Sequence, residues 1–292
     1  MQALHQLVEL IDVRPAGDDR FTGQSQDLGT PAVFGGQVLG QALMAACGTV
    51  PPDRPAHSLH AYFLLPGRHA PIDYAVDRLR DGGSFSARRV LAAQAEGTIF
   101  ALTASFQRPE PGPERHDPMP SVPGPEGLPD EIEWRRSVVD RLPERWREKA
   151  LRPNGIEYRP VQPFDLLDAP PREARAAIWL RATGPLPERP ALHQALLAYA
   201  SDHGLLLTAT LPHGLRLLRG DVQLASIDHA MWFHRPFRID DWLLYVTDST
   251  TAQGARALCR GAIYARDGTL VASTMQEGLM RVRGTPPAPP AA

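Results

Sequence analysis

Between Ala225 and Phe237 the chain reads Ala-Ser-Ile-Asp-His-Ala-Met-Trp-Phe-His-Arg-Pro-Phe. A hydroxyl, a carboxylate and two imidazoles (Ser226, Asp228, His229, His234) stand there among Met231, Trp232 and Phe233, which favour burial. Buried polar groups cost free energy unless each is hydrogen-bonded, so this run requires partners from elsewhere in the fold. Two side chains can supply them: Asp202, in an otherwise apolar helical stretch, and Gln276, in a β-type run. A carboxylate aimed at a pocket from such a helix can accept a proton or orient a water molecule.

Each of these residues also has a plainer reading. Asp202, beside Gly204, suits a helix cap or a solvated turn. Ser226 by itself is an ordinary strand hydroxyl. Gln276 shares a strand face with Leu270, Ala272 and Thr274. If that face is inward, its amide must satisfy two donors and an acceptor, for instance with the Asp202 carboxylate or a water; otherwise it ends a strand in solvent.

Other chemistries fit the sequence poorly. His57, His60, His229 and His234 have no metal-ligand spacing, and neither HExxH nor CxxC accompanies them. Gly82-Gly83-Ser84-Phe85-Ser86 lacks the last glycine of a nucleophile elbow. Cys47 and Cys259 lie in apolar settings that raise a thiol pKa and leave it inert. Gly35-Gly36-Gln37-Val38-Leu39-Gly40 is neither a phosphate loop nor a dinucleotide fingerprint, although amides at such a helix start can hold an oxyanion or allow tight packing.

The elements that must position these groups are legible from periodicity. A surface helix opens the chain; its Glu9 and Asp12, and the lack of a basic region, distinguish it from a signal peptide. An apolar, small-residue helix is predicted over 36–48, followed by short antiparallel strands over 57–107. Eight prolines between 109 and 129 exclude a helix or central strand and mark a linker, and a polar helix follows over 131–150. A second apolar helix is predicted over 191–211, interrupted at Ser201-Asp202-His203-Gly204, and β-type runs return over 215–281. The proline-rich tail from Gly284 reads as disordered.

The architecture is thus written twice. Phe85-Ser86-Ala87-Arg88 precedes a Gly-Thr strand start at 97 much as Gln253-Gly254-Ala255-Arg256 precedes one at 268, and His60-Ala61 echoes His229-Ala230. The expected organisation is a first helix-plus-sheet domain over 1–108, a connecting segment over 109–160, a second domain over 161–283 and a tail over 284–292. Matching the halves through Ala101-x-Thr103 and Ala272-x-Thr274 puts Ser105 opposite Gln276, and no acid between Val33 and Cys47 stands opposite Asp202. Acid, hydroxyl and amide therefore occur together only in the second half.

Composition sets the class. With 292 residues, 43% hydrophobic and 22% charged, the chain is long enough for roughly two globular domains. A net charge of -2 offers no field for nucleic acid, and no uncharged run approaches the ~18 residues a membrane helix needs. Two distant cysteines suit a reducing cytoplasm.

Val-Phe-Gly-Gly-Gln-Val-Leu-Gly-Gln-Ala-Leu at 33–43, His-Ser-Leu-His-Ala-Tyr-Phe-Leu at 57–64, Asp-Gly-Gly-Ser-Phe-Ser-Ala-Arg-Arg-Val at 81–90, Tyr-Ala-Ser-Asp at 199–202, Ser-Ile-Asp-His-Ala-Met-Trp-Phe-His-Arg-Pro-Phe at 226–237 and Ala-Ser-Thr-Met-Gln-Glu-Gly at 272–278 together resemble the acyl-CoA thioesterase II family. The likeness covers roughly 21–281, and the long proline-rich segment departs from it. It implies an α+β double hotdog, each long helix wrapped by an antiparallel sheet, and a homo-oligomer, dimer or tetramer. It also implies hydrolysis of fatty acyl-CoA without metal or cofactor, through a water held by Asp202, Ser226 and Gln276, with serine where some members have threonine. Gly35, Gly36 and His57 are the accompanying candidates for substrate or oxyanion contacts. Two other readings keep the fold: a hydratase or dehydratase of acyl thioesters using a histidine with an acid, such as His229 beside Asp228, and a non-catalytic acyl-CoA binder.

Overall fold

In a computed structural model, the structure describes residues 2–283 except 143, 154, 164–166, 168 and 169. The tail expected to be disordered lies outside the described residues. The first half contributes α1 (Gln2–Ile11), β1 (Arg14–Gly17), β2 (Arg20–Gly23), α2 (Gly35–Cys47), β3 (Ala56–Phe63), β4 (Ile72–Asp81), β5 (Phe85–Gln94) and β6 (Gly97–Gln107). Then follow α3 (Glu131–Val138), α4 (Glu144–Ala150), β7 (Ile156–Pro160), β8 (Arg175–Ala182), α5 (Pro190–Ser201), β9 (Val222–Ser226), β10 (Asp228–Phe233), β11 (Leu243–Gln253), β12 (Arg256–Ala265) and β13 (Leu270–Val282).

All strands join one antiparallel sheet in the order β1-β2-β4-β5-β6-β3-β10-β13-β12-β11-β8-β7, with β9 added on β13. The halves meet at β3 and β10, and the sheet carries α2 on one half and α5 on the other. This is the double hotdog. Both helices are apolar nearly all round, with residues 36–46 of α2 and 192–201 of α5 buried, as expected of helices enclosed by a sheet. Their side chains and the inner sheet face form one continuous core, so the two units share an interior.

The helices run antiparallel at a separation that glycine permits. A Cβ on Gly40 would come within 2.8 Å of the Ala195 carbonyl oxygen, and one on Gly36 would overlap the Tyr199 carbonyl oxygen. Neither obstacle is a side chain that could turn aside.

Three expectations are corrected. The polar helix over 131–150 is two helices, with a 3₁₀ turn at Val139–Arg141 between them. Residues 156–160, assigned to the connecting segment, form β7 at the sheet edge. The proline-rich stretch is not a free linker. Met119, Val122 and Leu128 pack with Trp179, Leu244 and Tyr264 on the outer sheet face, and the Trp179 indole donates to the Pro123 carbonyl at 2.8 Å.

The register between halves also differs from the sequence match. β6 carries an extra residue at Ile99, because Ala92 pairs with Phe100 and Ala93 with Thr98. β13 carries one at Val271, because Ile263 pairs with Ala272 and Tyr264 with Leu270. Aligning the two bulges places Tyr74 with Tyr245, Arg88 with Cys259 and Ala104, not Ser105, with Gln276. A one-residue slip exchanges the faces of a strand, and Ser105 indeed lies off the buried row formed by Leu102, Ala104 and Phe106. The same bulge turns Leu270 into the outer cluster and away from the face it was expected to share with Gln276.

Close helix packing yields a prediction whose sign is not the one propensity suggests. On an exposed helix Gly→Ala gains up to about 1 kcal/mol. At Gly40, against a fixed carbonyl, overpacking costs about 1–3 kcal/mol and outweighs that gain. Denaturant unfolding should therefore show Gly40→Ala to be less stable than wild type, and a more stable variant would refute the close contact.

Candidate functional site

Helix α5 ends where its apolar run ends. Asp202 is its C-cap residue (φ -79°, ψ -13°), and Gly204, at φ +75°, turns the chain away. A carboxylate at a helix C-terminus is opposed by the helix dipole. Here the antiparallel α2 offsets this by bringing its N-terminus alongside: a Cβ on Gly35 would lie 2.8 Å from Asp202 Oδ2 and 2.8 Å from the Phe63 ring. Phe34 supplies no side-chain cap, the first bonded amides are those of Gln37 and Val38, and the Gly35 and Gly36 amides find no acceptor among the described residues. The positive end of α2 is thus open beside the carboxylate.

The other two groups come from adjacent strands. Ser226 ends β9 opposite Gly278, and Gln276 is fully buried on the same face of β13 two residues away, the diagonal spacing at which side chains of neighbouring strands meet. Gln276 Nε2 donates to Asp202 Oδ1 at 2.7 Å and to Ser226 Oγ at 2.8 Å. The Ser226 hydroxyl donates a weaker, 3.4 Å bond to the same Oδ1. Both amide protons are therefore spent on holding the acid and the hydroxyl, and Oδ2 is left on the glycine side. Cys259, opposite Gln276 on β12, has its thiol pushed up to about 11 by burial.

A bulge places Ser226 and the next inward residue. Ser226 pairs with Gly278 and the Ile227 amide bonds the Glu277 carbonyl, yet Ala230 pairs with Met275, so Asp228 and His229 together oppose Gln276. Strict alternation would turn 226, 228 and 230 to one face; with the bulge, Ser226 and His229 both face inward. His229 is fully buried and bonds Ser201 Oγ through Nε2 at 3.0 Å. Asp228 faces the other way and accepts the Glu277 amide at 2.7 Å, so the two neighbours form no acid–histidine pair.

Of the candidates, the structure brings together Asp202, Ser226, Gln276, Gly35 and Gly36. It does not bring His57 to them. His57 bonds Ser105 Oγ at 2.8 Å and stacks edge-on with Phe85, and Phe63 lies six positions further along β3, about 20 Å of extended strand. His234 lies exposed with Nε2 2.8 Å from Ser273 Oγ, and His60 meets Trp232 edge to face. Among the described residues no three His, Cys, Asp or Glu side chains converge in a group that could hold a metal ion.

Asp202 and Ser226 open on a cavity of about 1170 Å³, large enough for a long flexible ligand. Val33, Phe34 and Leu64 of the first half wall it on one side, Leu206 and Leu224 of the second half on another. A further wall, Trp134, Val138 and Leu142, comes from α3 and the turn after it, within the stretch that the sequence marked only as a polar helix. Their spacing of four was the signal that α3 has an apolar face. α3 is fastened next to the acid: Glu131 accepts from His203 at 3.0 Å and from Arg135 at 2.8 Å, and His203 stacks on Tyr158. Burial would raise the Glu131 carboxyl, but His203 and Arg135 outweigh it and hold the group at about 2.

Among the described residues, no helix is long and apolar enough to cross a membrane. The family model for acyl-CoA thioesterase matches residues 171–279, and that for the acyl-CoA thioesterase N-terminal domain matches 24–107. Acyl-CoA thioesterase 2 of Haemophilus influenzae is 43% identical over 282 residues, covering 95% of this chain and 98% of the relative. Human acyl-coenzyme A thioesterase 8 is 38% identical, covering 94% of this chain and 88% of its own length. The crystal structure of the acyl-CoA thioesterase II TesB2 from Mycobacterium marinum superimposes with a TM-score of 0.77 at 40% identity, covering 95% of this chain and 99% of that one. With likeness of this degree along nearly its whole length, in sequence and in fold alike, the chain belongs to the acyl-CoA thioesterase II family.

Proposed function

We propose that the protein hydrolyses fatty acyl-CoA to the free acid and CoA, with Asp202 as general base. The observation that carries this reading is the Asp202 carboxylate: Oδ1 is pinned by Gln276 and Ser226, while Oδ2 faces Gly35 at the open N-terminus of α2, at the edge of a large, mostly apolar cavity. A water bonded to Oδ2 attacks the thioester carbonyl carbon as its proton passes to Asp202. The Gly35 and Gly36 amides, at the positive end of α2, hold the oxyanion that develops. Collapse of the tetrahedral intermediate breaks the C–S bond, and the proton on Asp202 returns to the leaving sulfur. A thioester is activated enough to need no metal, and general-base help of this kind contributes about 10²–10⁴-fold.

In this scheme Gln276 acts through its neighbours. Its two amide protons fix Asp202 and Ser226, so it orients the base rather than touching the water. The hydratase reading loses its acid–histidine pair, because Asp228 and His229 face opposite ways. Thiol release from saturated acyl-CoAs of increasing length separates the readings, because a saturated chain offers nothing to hydrate and a mere binder releases no thiol.

Asp202→Asn keeps the shape and removes the base, so the variant should fold normally and turn over roughly 100-fold or more slowly; a folded, fully active variant would refute the assignment. Ser226→Thr should retain most of the rate, whereas Ser226→Ala should lose about tenfold in kcat with little change in KM, the worth of one hydrogen bond to the base. Equal losses in the two variants would indicate packing instead. Because the first half has Ala104 where the second has Gln276, a non-hydrolysable acyl-CoA analogue titrated by calorimetry should saturate at one per chain. Two equivalent sites would overturn the asymmetry.

A further inference from the structure

His229 takes no part in the scheme above, yet it is a fully buried imidazole placed by the bulge that also turns Ser226 inward. Among the described residues its one hydrogen-bond partner is Ser201, the residue preceding Asp202: Nε2 lies 3.0 Å from Ser201 Oγ, and Nδ1 is buried with no partner among them. The Ser201 hydroxyl donates its proton to the Ala198 carbonyl at 2.9 Å, so His229 must carry its proton on Nε2 and donate to Ser201 Oγ. The Ser201 carbonyl is held from the other side by Tyr245, whose hydroxyl donates at 3.1 Å and lies 2.8 Å from Thr274 Oγ1.

We propose that His229 is a positioning residue of this site: by gripping Ser201 through Nε2–H, it fixes the last turn of α5 and thereby the direction of the Asp202 carboxylate. The unpartnered Nδ1 sharpens the argument. A half-satisfied imidazole in a core costs more than an apolar side chain of similar size, so any advantage of histidine here lies at its Nε2 end. Burial holds the ring below its usual pKa against the pull of the Asp202 charge, which keeps it neutral and the Nε2–H arrangement intact. Fully buried, it touches no reacting group, and its hydrogen bond to the end of α5 runs through Ser201.

This rests on the reading of Asp202 as the base, and the test keeps the two apart. Glutamine places an amide N–H where Nε2–H stands, asparagine places one near Nδ1, and leucine supplies neither. His229→Leu and His229→Asn should lose about tenfold or more in kcat with KM unchanged, and His229→Gln should recover to within a few-fold of wild type. In the absence of substrate, the ¹⁵N shifts of His229 should report the neutral Nε2–H tautomer. The ¹³C carboxyl resonance of Asp202, assigned by its loss in Asp202→Asn, should move in His229→Leu and return in His229→Gln. Equal impairment of all three variants, a loss confined to KM, an Nδ1–H tautomer or an unmoved Asp202 resonance would each overturn the proposal. A wild-type protein that releases no thiol would instead fail the hydrolase reading, and the resonances would still decide the clamp.

Discussion

The contact between α2 and α5 organises this molecule. Two antiparallel helices are drawn together until the carbonyls of Tyr199 and Ala195 occupy the space a side chain on Gly36 or Gly40 would need. Antiparallel packing sets the N-terminus of one helix beside the C-terminus of the other. The carboxylate that the α5 dipole disfavours is thereby placed at the end of α2 that favours it. The same geometry leaves Asp202 Oδ2 in the space that a Cβ on Gly35 would need, at the open N-terminus of α2. The proposed base and the open amide end of α2 are thus set together by one packing event between helices of different halves.

The strands serve that contact by holding the acid from the other side. Asp202, Ser226 and Gln276 come from three elements and are tied to one another: the amide gives both protons away while its Oε1 is buried without a partner among the described residues, and the carboxylate receives two bonds on one oxygen. Breaking such bonds inside a low-dielectric core is costly, which holds the acid and the hydroxyl in place. An oxygen held still in this way is what the proposed general-base role calls for, because it must stay within hydrogen-bonding reach of a water.

The two halves share a plan and spend it differently. Tyr74 and Tyr245 occupy matching places on β4 and β11; the first bonds the Gln41 amide oxygen inside its own half, the second the end of α5. At the place of Cys259 the first half buries Arg88, bound to Thr49 after α2, the Arg80 carbonyl and Asp81. At the place of Gln276 it has Ala104, which can only pack. The first half thus lends a wall and two amides to a centre whose acid, hydroxyl and amide belong to the second.

The sequence by itself determined the elements and the chemical inventory. Apolar periodicity defined α2 and α5, turn residues separated the strands, and the written-out duplication with its family likeness implied two hotdog units and an acid, a hydroxyl and an amide at 202, 226 and 276. These are local properties, carried by residue type and spacing. Register was not legible. The bulges at Ile99, Val271 and Asp228–His229 shift side chains between faces through hydrogen bonds to other strands, so Ser105 was matched where Ala104 stands and Leu270 was set on the wrong face. Nor could spacing show that His57 sits far along β3 from the acid, that the proline-rich stretch packs on the outer sheet face, or that α3 walls the cavity. Those features depend on which surfaces remain uncovered once the sheet has closed around its helices, and only the tertiary structure decides that.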